Sequence, residues 1–181
     1  MMTGASVYRL SAAGFLALAA LVIHGAAYAA SSTARGHGQI RQPVTMVNTG
    51  DLDFGNVIRG ATAGTVTINA RTGARTRTGG TVLQGTGFRR AGFTSTGTGG
   101  RLVRYTLGSP TITLAGPGAA TMTVNVFRIS INGANAQTLP RNSTMPLTGT
   151  SSVNVGARLN VAANQADGDY SGSFNLTMDY Q

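Results

Sequence analysis

The chain has 181 residues, with 26 Gly and 25 Thr; all 14 basic residues are Arg, all five acids are Asp, and Cys, Trp, Lys and Glu are absent. That length supports one core, and the composition excludes a thiol nucleophile, a disulfide, a cysteine-held metal centre, a Schiff-base lysine and the lysine of a phosphate-binding loop. A charge of +9 carried on only 10% charged residues requires a surface of Thr, Ser, Asn and Gly with scattered guanidinium groups.

Residues 1–29 read as a signal peptide: Arg9 gives a positive start, an apolar run follows over 10–23, and Ala27-Tyr28-Ala29 places small residues where a signal peptidase cuts. Cleavage after Ala29 yields an exported product destined for the periplasm, the cell surface or the medium. The only association with a membrane is then passage through it. Residues 30–38 read as a flexible leader, in which His37 lies between Gly36 and Gly38 with nothing to hold an imidazole as a base.

From residue 39 to 181 the chain reads as one all-β domain. Strands are expected over 40–47, 52–58, 64–70, 81–84, 91–96, 101–107, 111–114 and 121–131, then over 153–161 and 170–180. The last two alternate plainly, with Val153, Val155, Ala157, Leu159 and Val161 on one side, then Tyr170, Gly172, Phe174, Leu176, Met178 and Tyr180. Over 121–131 the apolar phase slips between Val126 and Phe127, which predicts a bulge or a change of sheet. Glycine-rich clusters such as Thr78-Gly79-Gly80, Gly116-Pro117-Gly118 and Asn132-Gly133 mark the turns between them. Short Thr/Val strands separated in this way predict an immunoglobulin-like β-sandwich of two sheets.

Several segments resemble a known family. They are Gln39-Ile40-Arg41-Gln42-Pro43-Val44-Thr45-Met46, Asp51-Leu52-Asp53-Phe54-Gly55, Gly64-Thr65-Val66-Thr67-Ile68, Val161-Ala162-Ala163-Asn164-Gln165 and Asp169-Tyr170-Ser171-Gly172-Ser173-Phe174. Together they resemble the Gly/Thr-rich secreted bacterial domain catalogued as domain-of-unknown-function forty-four-oh-two. More remotely the plan is similar to spore-coat-U and archaic chaperone-usher pilin domains. Pilin subunits end in an alternating strand with a penultimate aromatic and a glycine fourteenth from the end, the places of Tyr180 and Gly168 here.

The pilin resemblance implies a sandwich with an open groove beside its last strand, which another chain fills by adding a strand. It assigns Gly168, Phe174, Leu176, Met178 and Tyr180 to the groove and its strand. Ile40, Val44 and Met46 would be the apolar anchors of a donor strand, interrupted by Pro43. The expected partners are then other copies of the chain or a periplasmic chaperone. The same 40–47 segment also fits as the first strand of its own domain, and the alternative function is a self-contained secreted domain that binds acidic glycans.

For that alternative the candidate residues are arginines: Arg71, Arg75 and Arg77 in one expected loop, Arg89 and Arg90 in the next. An exported basic surface meets acidic polysaccharides rather than nucleic acid, and the guanidinium fork suits carboxylates and phosphates. No enzyme, cofactor or metal is expected. Asp51 with Asp53, and Asp167 with Asp169, are close enough to raise a glycosidase pair or a Ca²⁺ loop, but turn and strand-start roles account for both. The function expected from sequence is a non-enzymatic structural subunit of a surface filament assembled by strand addition.

Overall fold

The computed structural model describes residues 31–181, so the signal-peptide segment lies outside the described residues. The chain divides after Gly38 into two units, and residues 31–38 are exposed and without regular structure. The unit Gln39–Gln181 is all-β, and no helix of the described residues is long and apolar enough to cross a membrane.

Thirteen strands run in order: β1 (Thr45–Gly50), β2 (Asn56–Ile58), β3 (Gly64–Ile68), β4 (Arg75–Gly79), β5 (Val82–Gln84), β6 (Ala91–Thr96), β7 (Leu102–Leu107), β8 (Ile112–Ala115), β9 (Thr121–Ile131), β10 (Gln137–Thr138), β11 (Arg141–Thr144), β12 (Thr150–Val161) and β13 (Leu176–Tyr180). Every pairing is antiparallel. An eight-stranded sheet is organised on β12, which has β9 along one side and, along the other, β6 over Thr150–Val155 followed by β3 over Arg158–Val161. The sheet therefore forks at Gly156 and Ala157. Only glycine fits at 156, because a Cβ there would run into the Ile68 carbonyl and lie 2.6 Å from the Ala70 nitrogen.

The second layer is the sheet β11–β7–β13, and β2–β5 form a small third sheet. Alternation sends Val66, Ile68, Val124, Ile129, Val153, Val155 and Leu159 from the large sheet and Val103, Tyr105 and Met178 from the small one into a shared core. The Tyr105 hydroxyl shares a 3.0 Å hydrogen bond with the buried Ser95 hydroxyl across the layers. Phe174 closes one flank, its ring 5.3 Å from Phe127 and 6.2 Å from Phe93.

The phase slip at Val126 and Phe127 is a β-bulge: the register against β12 shifts between Gly156 and Arg158, and Val126 takes φ 50°. The terminal alternation changes sheets. Ser171 bridges Ala115 at the edge of the large sheet, and regular pairing resumes only at Leu176, against β7. Residues 170–175 are thus a crossing segment rather than the start of one long strand. The expected loop holding Arg75 and Arg77 is instead strand β4, whose arginines lie opposite the buried Ile68 and Val66.

Candidate functional site

Strand β13 is hydrogen-bonded on one side only. The Gly108 N–H donates to the Asn175 carbonyl at 2.9 Å and the Gln181 N–H to the Leu102 carbonyl at 3.0 Å. Antiparallel alternation therefore turns the odd-numbered residues toward β7 and the backbone groups of Leu176, Met178 and Tyr180 away from it. No strand of the described residues is hydrogen-bonded to β13 on that outer side. The side chains of these three residues meanwhile pack on the core, Met178 buried and Leu176 and Tyr180 half-buried. The edge therefore combines unclaimed backbone groups at Leu176 and Met178 and the Tyr180 N–H with apolar side chains facing inward, while the Tyr180 carbonyl accepts the Gln181 side-chain amide at 3.3 Å.

Gly168 lies before β13, in the loop that packs on Pro117; its φ is 139° and a Cβ would come within 2.8 Å of the Pro117 ring. It fixes where the crossing segment starts and is not part of the open edge.

The N-terminal segment is placed differently from a free donor. Thr45–Gly50 pairs with β6 of its own domain, and Val44 and Met46 pack half-buried against its own core. Ile40 alone of the three expected anchors is fully exposed. The Tyr180 hydroxyl donates to the Gln42 carbonyl at 2.7 Å and accepts the Thr98 N–H at 2.6 Å, while the Gln42 N–H donates to the Thr98 hydroxyl at 2.9 Å. Arg41 stands 5.5 Å over the same ring. Desolvation raises the phenol's pKa, but the hydrogen bonds from Thr98 and the charges of Arg41 and Arg101 outweigh it and leave the group below its ordinary value. This latch joining the last strand to the entry of the first carries no signal in the sequence beyond a penultimate tyrosine.

The five candidate arginines hold loops of this chain. Arg75 donates to the carbonyls of Phe54 at 2.9 Å, Asn56 at 3.3 Å, Gln84 at 3.2 Å and Gly85 at 2.7 Å, and its guanidinium stacks 4.4 Å from the Phe88 ring centre. Arg77 donates to the Thr81 carbonyl, Arg89 to that of Asp51, and Arg90 to those of Ala70 and Arg71. Arg71 donates to the Asn135 side chain. Arg71, Arg77 and Arg89 keep exposed surface; Arg75 is a clamp with little left to offer a ligand.

The carboxylates are also engaged locally. Asp53 accepts the Gly55 N–H at 2.8 Å, Asp51 accepts from Asn48, and Asp167 pairs with Arg59 at 3.0 Å rather than with Asp169. No group of three or more potential ligands for a metal occurs among the described residues. A shallow cleft of about 450 Å³ on the large sheet is lined by residues such as Thr65, Thr78, Thr123, Asn160 and Gln165, with no ionisable side chain to move a proton.

No curated protein and no solved structure matches the chain. A protein family described as a domain of unknown function (DUF4402) matches residues 44–180, a span that takes in every strand from β1 to β13, and the chain belongs to that family.

Proposed function

We propose that the protein is an exported, non-enzymatic structural subunit of a surface filament, whose copies join by strand addition at the outer edge of β13. The observation that carries this reading is the row of unclaimed backbone groups at Leu176 and Met178, continued by the Tyr180 N–H. The signal-like N-terminus and the pilin-like spacing of Gly168 and Tyr180 support it. Because β1 is already paired with β6 and both backbone groups of Gln42 are held by Thr98 and Tyr180, the donating segment is the stretch before Gln42, with Ile40 as its free apolar side chain.

Leu176 opens β13 and its N–H faces outward, a position where proline is tolerated in an edge strand. Leu176→Pro should keep the domain folded and abolish association of the secreted protein in sedimentation velocity. Ile40→Asp should weaken association without changing the melting temperature, whereas Val44→Asp or Met46→Asp should destabilise the monomer itself by several kcal/mol, about the penalty for forcing a charge against an apolar core. A wild-type protein that stays monomeric at high concentration, or a folded Leu176→Pro variant that assembles normally, overturns the proposal.

A second reading is favoured by the pairing of β1 with β6, which completes the large sheet without a donated strand. In it the domain works alone as a secreted binder of acidic glycans, through the exposed Arg71, Arg77 and Arg89. Retention on immobilised heparin that falls in the triple Arg→Gln variant, from a monomeric protein, would select it.

A further inference from the structure

We propose that Gln39, Ile40 and Arg41 form a strap that seats on the open edge of β13 in the same chain. The inference rests on the strand-addition reading and names what occupies the acceptor edge before a second copy does.

One end of the strap is fixed. The Tyr180 hydroxyl donates to the Gln42 carbonyl at 2.7 Å, and the Gln42 N–H donates to the Thr98 hydroxyl at 2.9 Å. Tyr180 closes β13, so residues before Gln42 that lie along the edge run from Tyr180 back toward Leu176, parallel to that strand. With Gln42 opposite Tyr180, Ile40 comes opposite Met178.

A parallel ladder joins each residue whose backbone faces the partner to the two neighbours of the residue opposite it. In this register the Gln39 N–H donates to the Leu176 carbonyl and the Gln39 carbonyl accepts the Met178 N–H. The Arg41 N–H donates to the Met178 carbonyl and the Arg41 carbonyl accepts the Tyr180 N–H. The next bond would need an N–H at Pro43, which has none, and the carbonyl it would serve is that of Tyr180, already accepting the Gln181 side-chain amide at 3.3 Å. The gap in the strap thus falls where the edge needs nothing, a match particular to this segment. Among the described residues no backbone partner holds Gln39, Ile40 or Arg41 elsewhere.

Alternation places Ile40 on the same side as Val44 and Met46, both packed on the core, so seating turns it inward beside the buried Met178. The tether supplies the segment at an effective concentration of about millimolar. Three parallel residues with one apolar anchor make a weak seat, and the structure shows Ile40 off it and fully exposed. A strap held no more firmly than this is free to leave its own edge for that of a neighbour, the exchange of an identical element between copies.

The chain has no cysteine, so an engineered pair reports its own approach. Gln39 seats opposite Thr177, both are exposed, and a disulfide requires Cα atoms within about 7 Å. The secreted Gln39→Cys/Thr177→Cys protein, oxidised at a concentration where it sediments as a monomer, should form an intramolecular disulfide about ten times faster than a control joining Gln39→Cys to Thr76→Cys on β4, at the far edge of the large sheet from β1. Adding Tyr180→Phe should slow the reaction about threefold, because the free tether to residue 39 then starts at Thr45 instead of Gln42 and doubles in length. A pair no faster than the control, or a rate indifferent to Tyr180→Phe, overturns the strap. Strand addition is read separately, by oxidising a mixture of the single Gln39→Cys and Thr177→Cys variants at assembling concentration and mapping the linkage between copies. That linkage without the intramolecular one sinks the strap and leaves strand addition standing; the intramolecular linkage with none between copies upholds the strap as a permanent closure and removes strand addition.

Discussion

Replacing Arg75 separates a structural role from a ligand-binding one. Its guanidinium reaches four backbone carbonyls, of which Gly85 at 2.7 Å and Phe54 at 2.9 Å are the shortest contacts. Charge-assisted bonds at half-exposed positions contribute at the lower end of their range, about 1.5 kcal/mol each, so these two account for about 3 kcal/mol. The stack on Phe88 adds about 0.5 kcal/mol. Arg75→Ala should therefore lower stability by about 3.5 kcal/mol, and at about 3 °C per kcal/mol the melting temperature by about 10 °C. Arg75→Lys keeps the charge but cannot bridge both loops, and should lose about 2 kcal/mol, since an ammonium group replaces the fork by a single point. Thermal and urea unfolding read the stability, and the salt needed to elute the variants from heparin reads anion binding. A wild-type melting temperature with sharply weaker retention would refute the clamp and return Arg75 to a ligand site.

Gly156→Ala should destabilise the domain by about 2–3 kcal/mol, the cost of overpacking against backbone that cannot move aside, with urea unfolding showing a lower midpoint at unchanged slope. Chelation with EDTA should leave the melting temperature unchanged, and Asp167→Asn should cost under about 1 kcal/mol because its partner Arg59 lies at the surface; a fall of several degrees on chelation, removed by that substitution, would reveal a calcium loop.

The parts of this fold that were legible in the sequence are those where burial writes a period of two. Strands β6 and β9 match their expected bounds, and the slip at Val126 was readable because a bulge shifts every later side chain to the other face. Strand β4 is hidden because Arg75-Thr76-Arg77-Thr78-Gly79 has no apolar residue: the positions opposite Ile68 and Val66 are held by a half-buried Arg75 and an exposed Arg77. Strands β10 and β11 are too short and polar to leave a pattern. The alternation from Tyr170 to Tyr180 is continuous as text, yet its first half borders β8 and its second half β7, because alternation records which side is buried and not which neighbour buries it. The same limit applies to the candidate site. The inward residues of β13 could be named from sequence, but the cis pairing of β1, the Tyr180 latch and the Arg75 clamp depend on contacts between segments far apart in the chain.

The position of β12 as hub sets the order in which the domain can be built. Strands β3, β6 and β9 all border β12, yet all precede it in the chain. A chain emerging from its amino end can form the local hairpins β3–β4 and β8–β9, but nothing joins those hairpins into one sheet until residues 150–161 arrive. Until then their edges are available to any other chain in the same state, and the long wait for distant partners makes folding slow and aggregation-prone. A stalled or truncated chain that stops short of Thr150 is therefore a set of unjoined hairpins rather than a smaller version of the sandwich.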